Sequence, residues 1–380
     1  MYKIGILNKI SKSGLNRFNE KYQIAEGISG ATGLILRSKD IHDIEFPREL
    51  LAIARAGAGV NNIPLTKCAD KGIVVFNSPG ANSNAVKELV IGSLLMYSRN
   101  LINAVQWCKG ISGDPLPEVE KGKSQFKGNE IAGKTIGVIG LGAIGTKVAN
   151  SCKSLDMNVI GYDPYLSLTH CHMLSPEVKI ANNIVELLEN SDFVTVHMPA
   201  VAETNKILNA DVFAHMKPNA VLLNFSRDKL VNEDDLLYSL NNAQIKGYIT
   251  DFATEKLIKH PLVTAIPHLG ASTVESEDKC AEMAADSLMD YIENGNIVNS
   301  VNFPNISLGP LNDKNRIAIL TKWEPYPVKL AMAMFADKNI TAIKGDVRGD
   351  YGYALLETTD EITTVPKVPG VLKVRIFEDL

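Results

Sequence analysis

The chain has 380 residues, more than one hydrophobic core ordinarily organises, so two or three domains are expected. Hydrophobic residues make up 45% and charged residues 22%, the balance of a globular fold in water. A net charge of -4 and a pI near 6.0 exclude a broad basic surface, so neither nucleic acid nor an anionic membrane is expected as a partner.

Cys68, Cys108, Cys152, Cys171 and Cys280 are scattered and odd in number, which suits reduced thiols and a cytoplasmic location. His170, Cys171 and His172 lack further ligands at useful spacing, so no metal is expected. MYKIGIL at the start reads as a strand and not as a signal peptide. No apolar run reaches the roughly 20 residues of a membrane span.

In chain order, Lys3–Leu7, Gly33–Leu36, Leu51–Arg55 and Val74–Phe76 read as strands. Ala85, Leu89, Ile91, Leu94, Leu95 and Tyr97 have helical spacing, and that helix is expected to run on as far as Trp107. The stretch from Lys109 to Gly133 is rich in Gly, Pro and charge and reads as a loop and a boundary. Six strands follow: Thr135–Gly140, Asn158–Tyr162, Phe193–His197, Ala220–Phe225, Gly247–Asp251 and Val263–Pro267, with helices such as Asn183–Glu189 and Glu233–Leu240 between them. Apolar strands alternating with helices predict a parallel sheet covered on both faces. A helix over Val274–Glu293, a linker over Phe303–Pro310 and a small α+β tail complete the order. The tail's expected elements are Arg316–Leu320, Val328–Asp337, Thr341–Asp346, Tyr353–Glu357 and Leu372–Phe377. It is near the lower size limit for independent stability, so it is expected to pack on a partner or on its own copy.

Gly140-Leu141-Gly142-Ala143-Ile144-Gly145 is a GxGxxG run that directly follows the strand IGVIG and opens a helix near Ala143. The first glycine permits the turn, the second lets backbone approach a pyrophosphate, and the third lets helix and strand pack closely. The free N–H groups of that helix start face phosphate. Asp163 ends the next strand eighteen positions after Gly145, near the roughly 20 that place an acid on the ribose hydroxyls. Its carboxylate would repel a 2′-phosphate, so NAD is the expected cofactor.

Hydride removal from an alcohol needs a base for the hydroxyl proton and a cation for the neighbouring carboxylate. Four candidates follow three strands, where open α/β sheets bind ligands: Arg227 after AVLLNFS, Asp251 and Glu255 after GYIT, and His268 after VTAIP. A histidine at a strand end is otherwise a surface or capping residue, and an arginine there a surface ion pair.

RAGAGVNNI (55–63), NSPGANSNAVKELVIG (77–92), VIGLGAIG (138–145), NFSRDKLV (224–231) and PHLGAST (267–273) together resemble the D-isomer-specific 2-hydroxyacid dehydrogenase family, over roughly residues 1 to 305. The resemblance is strongest to members that oxidise 3-phosphoglycerate with NAD to 3-phosphohydroxypyruvate, the first step toward serine. It implies two Rossmann-like domains around a cleft, with parallel sheets and helices on both faces. The first, substrate-binding domain spans 1–99 and is completed by about 274–303, and the NAD-binding domain spans 100–273. A small ACT-like domain over 314–380 follows. The family resemblance makes His268 the acid/base, Glu255 its acidic partner, and Arg227 the substrate carboxylate's fork. Asp251 receives the nicotinamide carboxamide, with Pro199, His268 and Gly270 beside the cofactor. DFATEKL is one residue shorter than the family's loop and lacks its proline.

For a phosphorylated substrate the same resemblance assigns Arg37, Lys39 and Arg55, with backbone N–H groups from Ala56 and Gly57 to Gly59 cradling the carboxylate. In the tail, Trp323-Glu324-Pro325-Tyr326-Pro327-Val328 stands where an ACT effector loop carries histidine, asparagine and a Pro-Gly turn, and Thr341 replaces a second asparagine. The tail is therefore expected to assemble subunits, as a homodimer or homotetramer, and to bind serine poorly. Three rivals remain open: a reductase of glyoxylate, hydroxypyruvate or another 2-ketoacid, an NAD-sensing protein of the corepressor kind, and a degenerate enzyme, given the shortened loop at Glu255.

Overall fold

Apolar runs bounded by turn residues become the strands of three sheets in the computed structural model, which describes residues 1–311 and 315–377. β1 (Tyr2–Ile6), β2 (Tyr22–Glu26), β3 (Gly33–Leu36), β4 (Ala52–Arg55) and β5 (Val74–Phe76) form a parallel sheet in the order β2-β1-β3-β4-β5. β2 was not expected: only Tyr22 of its five residues is fully buried, so it carries no two-residue apolar alternation. The helix Val274–Asn294 returns to this sheet and buries Cys280, Ala281, Ala284, Leu288, Tyr291 and Ile292 in a core with Ile4, Ile35, Ala54 and Phe76.

The second sheet is also wholly parallel: β6 (Thr135–Ile139), β7 (Asn158–Tyr162), β8 (Lys179–Ile180), β9 (Phe193–Val196), β10 (Val221–Asn224), β11 (Gly247–Thr250) and β12 (Val263–Ala265). Its order is β12-β11-β10-β9-β6-β7-β8. The chain winds outward from β6 to β8, then crosses to β9 on the other side of β6. The order therefore reverses between β6 and β9, which is where such sheets hold dinucleotides.

The chain divides into two compact units, Met1–Asn82 with everything from Val274 onward, and Ser83–Thr273. The border falls at Asn82 and not near residue 99, because the helix Ser83–Ser98 buries Val86, Val90 and Leu94 against Ile136, Val138, Leu141 and Val148. That helix does not run on to Trp107. Asn100 adopts the left-handed conformation with φ of 52°, and a separate helix, Leu101–Lys109, begins after it. The stretch after Lys109, expected as loop, holds the helix Pro115–Gly122, started by Pro at its first turn and capped by Asp114 on the Leu116 N–H. No helix among the described residues is long and apolar enough to cross a membrane.

The tail is antiparallel and ACT-like: β13 (Asn315–Lys322), β14 (Ile340–Arg348), β15 (Tyr351–Thr358) and β16 (Val371–Phe377), in the order β14-β15-β13-β16, with the helix Pro327–Met334. The expected start of this module at residue 314 lies outside the described residues. Alternation along β13 and β15 gives the sheet two apolar faces. Ile317, Ile319, Ala354 and Leu356 meet the helix and Phe335. Ala318, Leu320, Tyr353 and Leu355 join the core that contains Phe76, Tyr291 and Phe303. One face of the module thus packs on its own chain, where a partner or a second copy was expected.

Polar ties close that contact. Asp70 accepts from Lys322 Nζ and from the Tyr351 hydroxyl, both at 2.6 Å. Arg375 donates to the carbonyls of Tyr291 and Ile292 at 3.0 and 2.8 Å, and its guanidinium lies over the rings of Tyr291 and Phe377. Arg316 is fully buried; it pairs with Glu357 and donates to the carbonyls of Asn294, Gly309 and Pro310. Two arginines of the tail therefore cap the carbonyl end of the Val274–Asn294 helix, where cations are favoured.

In the effector-loop stretch of the tail, Trp323 and Tyr326 are exposed, and Lys322 Nζ sits 4.4 Å from the Trp323 ring centroid. The Thr341 hydroxyl donates to the Glu357 carbonyl of the adjacent strand. These side chains present rings and an internally satisfied hydroxyl where an amino-acid effector needs donors and acceptors. Calorimetric titration with serine is expected to give no saturable heat, and a saturating isotherm would overturn that expectation.

Candidate functional site

The dinucleotide motif sits at the carboxyl end of β6. Gly140 has φ of 88°, and a β-carbon there would lie 2.7 Å from the His197 carbonyl oxygen at the end of β9. A β-carbon at Gly145 would collide with the Gly140 carbonyl, so the turn tolerates nothing larger. Space beside Gly142 is open, with no atom within 4 Å of such a carbon. The helix starts at Gly145, two residues later than expected, and runs to Ser154. The N–H groups of Ala143 and Ile144 donate to no acceptor among the described residues. Asp163 accepts from the N–H groups of Leu141 and Tyr165, both at 2.8 Å, which fixes its carboxylate at the end of β7 beside the turn. Open space, unpartnered N–H groups and a tethered acid fit a dinucleotide pyrophosphate and its ribose.

His197, not singled out from the sequence, shares this end of the sheet. Its Nε2 lies 3.0 Å from the Thr195 hydroxyl, and its Nδ1 is buried without a hydrogen-bond partner. Burial pushes its pKa down to about 3, so the ring is neutral in any ordinary buffer. Pro199 follows on the exposed chain after β9, where its carbonyl accepts from the Thr204 hydroxyl at 2.6 Å.

Arg227 is positioned by buried Asn224, whose Nδ2 donates to the Arg227 carbonyl at 2.9 Å and to the Tyr248 hydroxyl at 3.2 Å. Ser226 anchors the same loop through its hydroxyl on the Val196 carbonyl at 2.7 Å. Asp251 ends β11 and is only 3% exposed, yet neither carboxylate oxygen makes a full hydrogen bond. Burial raises its pKa, opposed in turn by the charge of His268, the Gly270 amide and the charge of Arg227. Those causes put Arg227, Asp251, His268 and Gly270 in one electrostatic neighbourhood. A buried carboxylate without partners is costly unless a donor arrives, and a carboxamide NH₂ is such a donor. His268 is exposed, with its ring centroid 4.6 Å from that of Phe252.

Glu255 is not brought to His268. It opens the short helix Glu255–Lys259, capped by Thr254, and its carboxylate meets Lys259 one turn on at 2.6 Å while 83% exposed. The cap fixes where the helix starts, and the i,i+4 spacing then supplies the partner. The charge of His268 acts instead on Asp251, whose pKa it lowers against the effect of burial.

In the other unit, Arg37 follows β3 and Arg55 ends β4. Arg55 Nε donates to the Arg37 carbonyl at 2.9 Å, and Asn62, also missed from the sequence, donates to the carbonyls of Arg37 and Lys39 at 3.2 and 2.7 Å. Arg37 pairs with Glu277 at 2.6 Å. Lys39 is exposed. Gly57 leaves room for Arg55, since a β-carbon there would lie 2.6 Å from its Nη1. The proposed cradle needs correcting: the Ala56 N–H donates to the Leu36 carbonyl and the Gly57 N–H to the Arg55 carbonyl, both at 2.8 Å. Sheet and turn occupy those two amides, which leaves the amides of Ala58 and Gly59.

This fold, with its nucleotide turn and its Arg–Asp–His group, defines a dinucleotide-binding protein of the dehydrogenase kind. Residues 91–270 match the family model for the D-isomer specific 2-hydroxyacid dehydrogenase, NAD binding domain. The chain is 31% identical over 363 residues to D-3-phosphoglycerate dehydrogenase 2 of Saccharomyces cerevisiae, covering 85% of this chain and 74% of that protein. It is 34% identical over 314 residues to D-3-phosphoglycerate dehydrogenase of Methanocaldococcus jannaschii, covering 80% of this chain but only 58% of that longer protein. The fold of NAD⁺-bound 3-phosphoglycerate dehydrogenase from Entamoeba histolytica matches with a TM-score of 0.65 at 24% identity, covering 79% of this chain and 98% of that one. The chain belongs to the D-isomer-specific 2-hydroxyacid dehydrogenase family, and its second unit carries the family's NAD-binding domain.

Proposed function

We propose that this protein oxidises 3-phosphoglycerate to 3-phosphohydroxypyruvate with NAD, the first step of serine synthesis, and does so as a homo-oligomer. The observation that carries the phosphorylated substrate is the pair of arginines at the carboxyl ends of β3 and β4, where the Arg55 guanidinium donates to the main-chain carbonyl of Arg37. A small unphosphorylated 2-hydroxy acid needs one carboxylate fork, which Arg227 supplies. Arg37, Arg55 and exposed Lys39 supply the further cations that a second anion, the phosphate, would need.

In this reading Arg227 holds the substrate carboxylate through paired N–H donors. Its own loop is held by buried Asn224 and Ser226, which fixes where the side chain starts, and its Nη1 donates to the Ser226 carbonyl at 2.5 Å. His268 takes the proton of the C2 hydroxyl as the hydride leaves, and returns it in the reverse direction. NAD, when bound, supplies the hydride acceptor. Asp251 accepts from the carboxamide and, as a buried carboxylate, favours the protonated imidazole that forms. Glu255 has no part in this geometry while Lys259 holds it.

The test is loss of NADH absorbance with 3-phosphohydroxypyruvate and, separately, with hydroxypyruvate. A kcat/KM preference of at least about a hundredfold for the phosphorylated ketoacid is expected, since charge-assisted contacts to phosphate contribute roughly 1.5–3 kcal/mol each. Equal rates would move the protein to the general ketoacid reductases. Tight NADH binding without turnover on either would make it an NAD sensor.

A further inference from the structure

Glu277 lies in the first turn of the Val274–Asn294 helix, and its carboxylate meets the Arg37 guanidinium at 2.6 Å. Both side chains stay partly open, 43% and 33% exposed, so solvent and solutes reach the pair. Burial raises the pKa of the Cys280 thiol, and the charges of Arg37 and Arg55 lower it while that of Glu277 raises it, so all three lie within electrostatic reach of that thiol. An acid in the first turn of a long helix ordinarily serves the helix dipole. Glu275 in the same turn does that with no ion pair among the described residues, so the dipole does not require Glu277 to face a guanidinium.

We propose that Glu277 is a displaceable counter-ion for Arg37, which holds the guanidinium until a substrate phosphate takes its place and so sets how strongly a phosphorylated 2-hydroxy acid is preferred. This rests on the reading of Arg37 as a phosphate-binding cation. A phosphate monoester carries a charge of about -1.5 to -2 at neutral pH, against -1 for the carboxylate, so it competes successfully for Arg37 and Arg55. It is repelled by Glu277 as it arrives. A substrate lacking the phosphate neither displaces Glu277 nor feels that repulsion. The carboxylate therefore lowers affinity for the phosphorylated acid while keeping Arg37 extended and ordered in its absence.

The experiment compares KM for 3-phosphohydroxypyruvate with KM for hydroxypyruvate in Glu277→Gln, Arg37→Met and Glu275→Gln. Glutamine keeps the shape and can still accept from Arg37, but removes the charge. Glu277→Gln is expected to lower KM for the phosphorylated ketoacid about tenfold relative to that for hydroxypyruvate, with kcat kept within about twofold, a change of about 1.4 kcal/mol. Glu275→Gln is expected to leave the ratio as it is, which separates the ion pair from the helix dipole. An unaltered or reversed ratio in Glu277→Gln overturns the proposal, as does an equal shift with both substrates. Arg37→Met distinguishes the two levels. If it leaves KM for the phosphorylated ketoacid unaltered, the phosphate reading of Arg37 has failed, and the counter-ion proposal falls with it. If it raises that KM while Glu277→Gln changes nothing, only the counter-ion role has failed.

Discussion

Substituting His268 with glutamine is expected to lower turnover by about 10²–10⁴-fold, the usual contribution of a positioned acid/base. Glutamine keeps polarity and approximate size, but it cannot carry the proton that leaves the C2 hydroxyl. The surrounding geometry does not depend on the imidazole for its stability: His268 is exposed, and among the described residues its ring contact is with Phe252. The nucleotide turn at Gly140–Gly145 is held by its own glycines and by β9, so NADH affinity is expected to stay within about threefold. Stopped-flow measurement of hydride transfer, beside a fluorescence titration with NADH, separates the two quantities. Retained turnover would remove His268 from the chemistry, and lost NADH binding would give it a role in holding the cofactor.

Arg316→Leu is expected to destabilise the first unit by about 3–5 kcal/mol, because it leaves a buried carboxylate without its cation. Arg316 is fully buried and Glu357 is 7% exposed, and the same guanidinium satisfies the carbonyls of Asn294, Gly309 and Pro310. Leucine offers none of the donors and cannot reach all three carbonyls through solvent. The double variant Arg316→Leu with Glu357→Leu should recover part of the loss, since two apolar groups avoid the charge but still leave the carbonyls unmatched. Urea unfolding followed by Trp323 fluorescence in a Trp107→Phe background reports on the module that holds both residues. A single-variant cost below about 1 kcal/mol would show that water reaches the pair.

The parts of the molecule legible in sequence are those set by local chemistry. The GxGxxG turn, the acid at Asp163 and the strand ends that carry Arg227, Asp251 and His268 each lie in short stretches whose pattern dictates their conformation. β2 escaped because its burial is confined to Tyr22 and no alternation marks it. The break at Asn100 escaped because the apolar spacing continues across it from Leu94 to Leu101, and only the left-handed conformation of one asparagine interrupts the helix. The expected Glu255–His268 pair failed for a local reason that the motif conceals, the cap at Thr254 and the lysine one turn later. The cradle at Ala56 and Gly57 failed because those amides still belong to the sheet and its turn. Contacts such as Asp70 with Lys322, and Glu277 with Arg37, join residues far apart in the chain that no spacing rule relates.

The first unit leaves the chain at Asn82 and resumes at Val274, whereas the nucleotide unit is continuous. On a ribosome this fixes an order of events. Strands β1 to β5 emerge first, yet the helix that supplies Leu288, Tyr291 and Ile292 to their core is made only after the whole nucleotide unit. The nucleotide unit can close its own core once Thr273 has been added, while the earlier strands wait with one apolar face uncovered. Pairing across so long a separation is slow, and exposed parallel strands are prone to association in the interval. The tail ends that interval, since β13 and β15 add Ala318, Leu320, Tyr353 and Leu355 to the same core last.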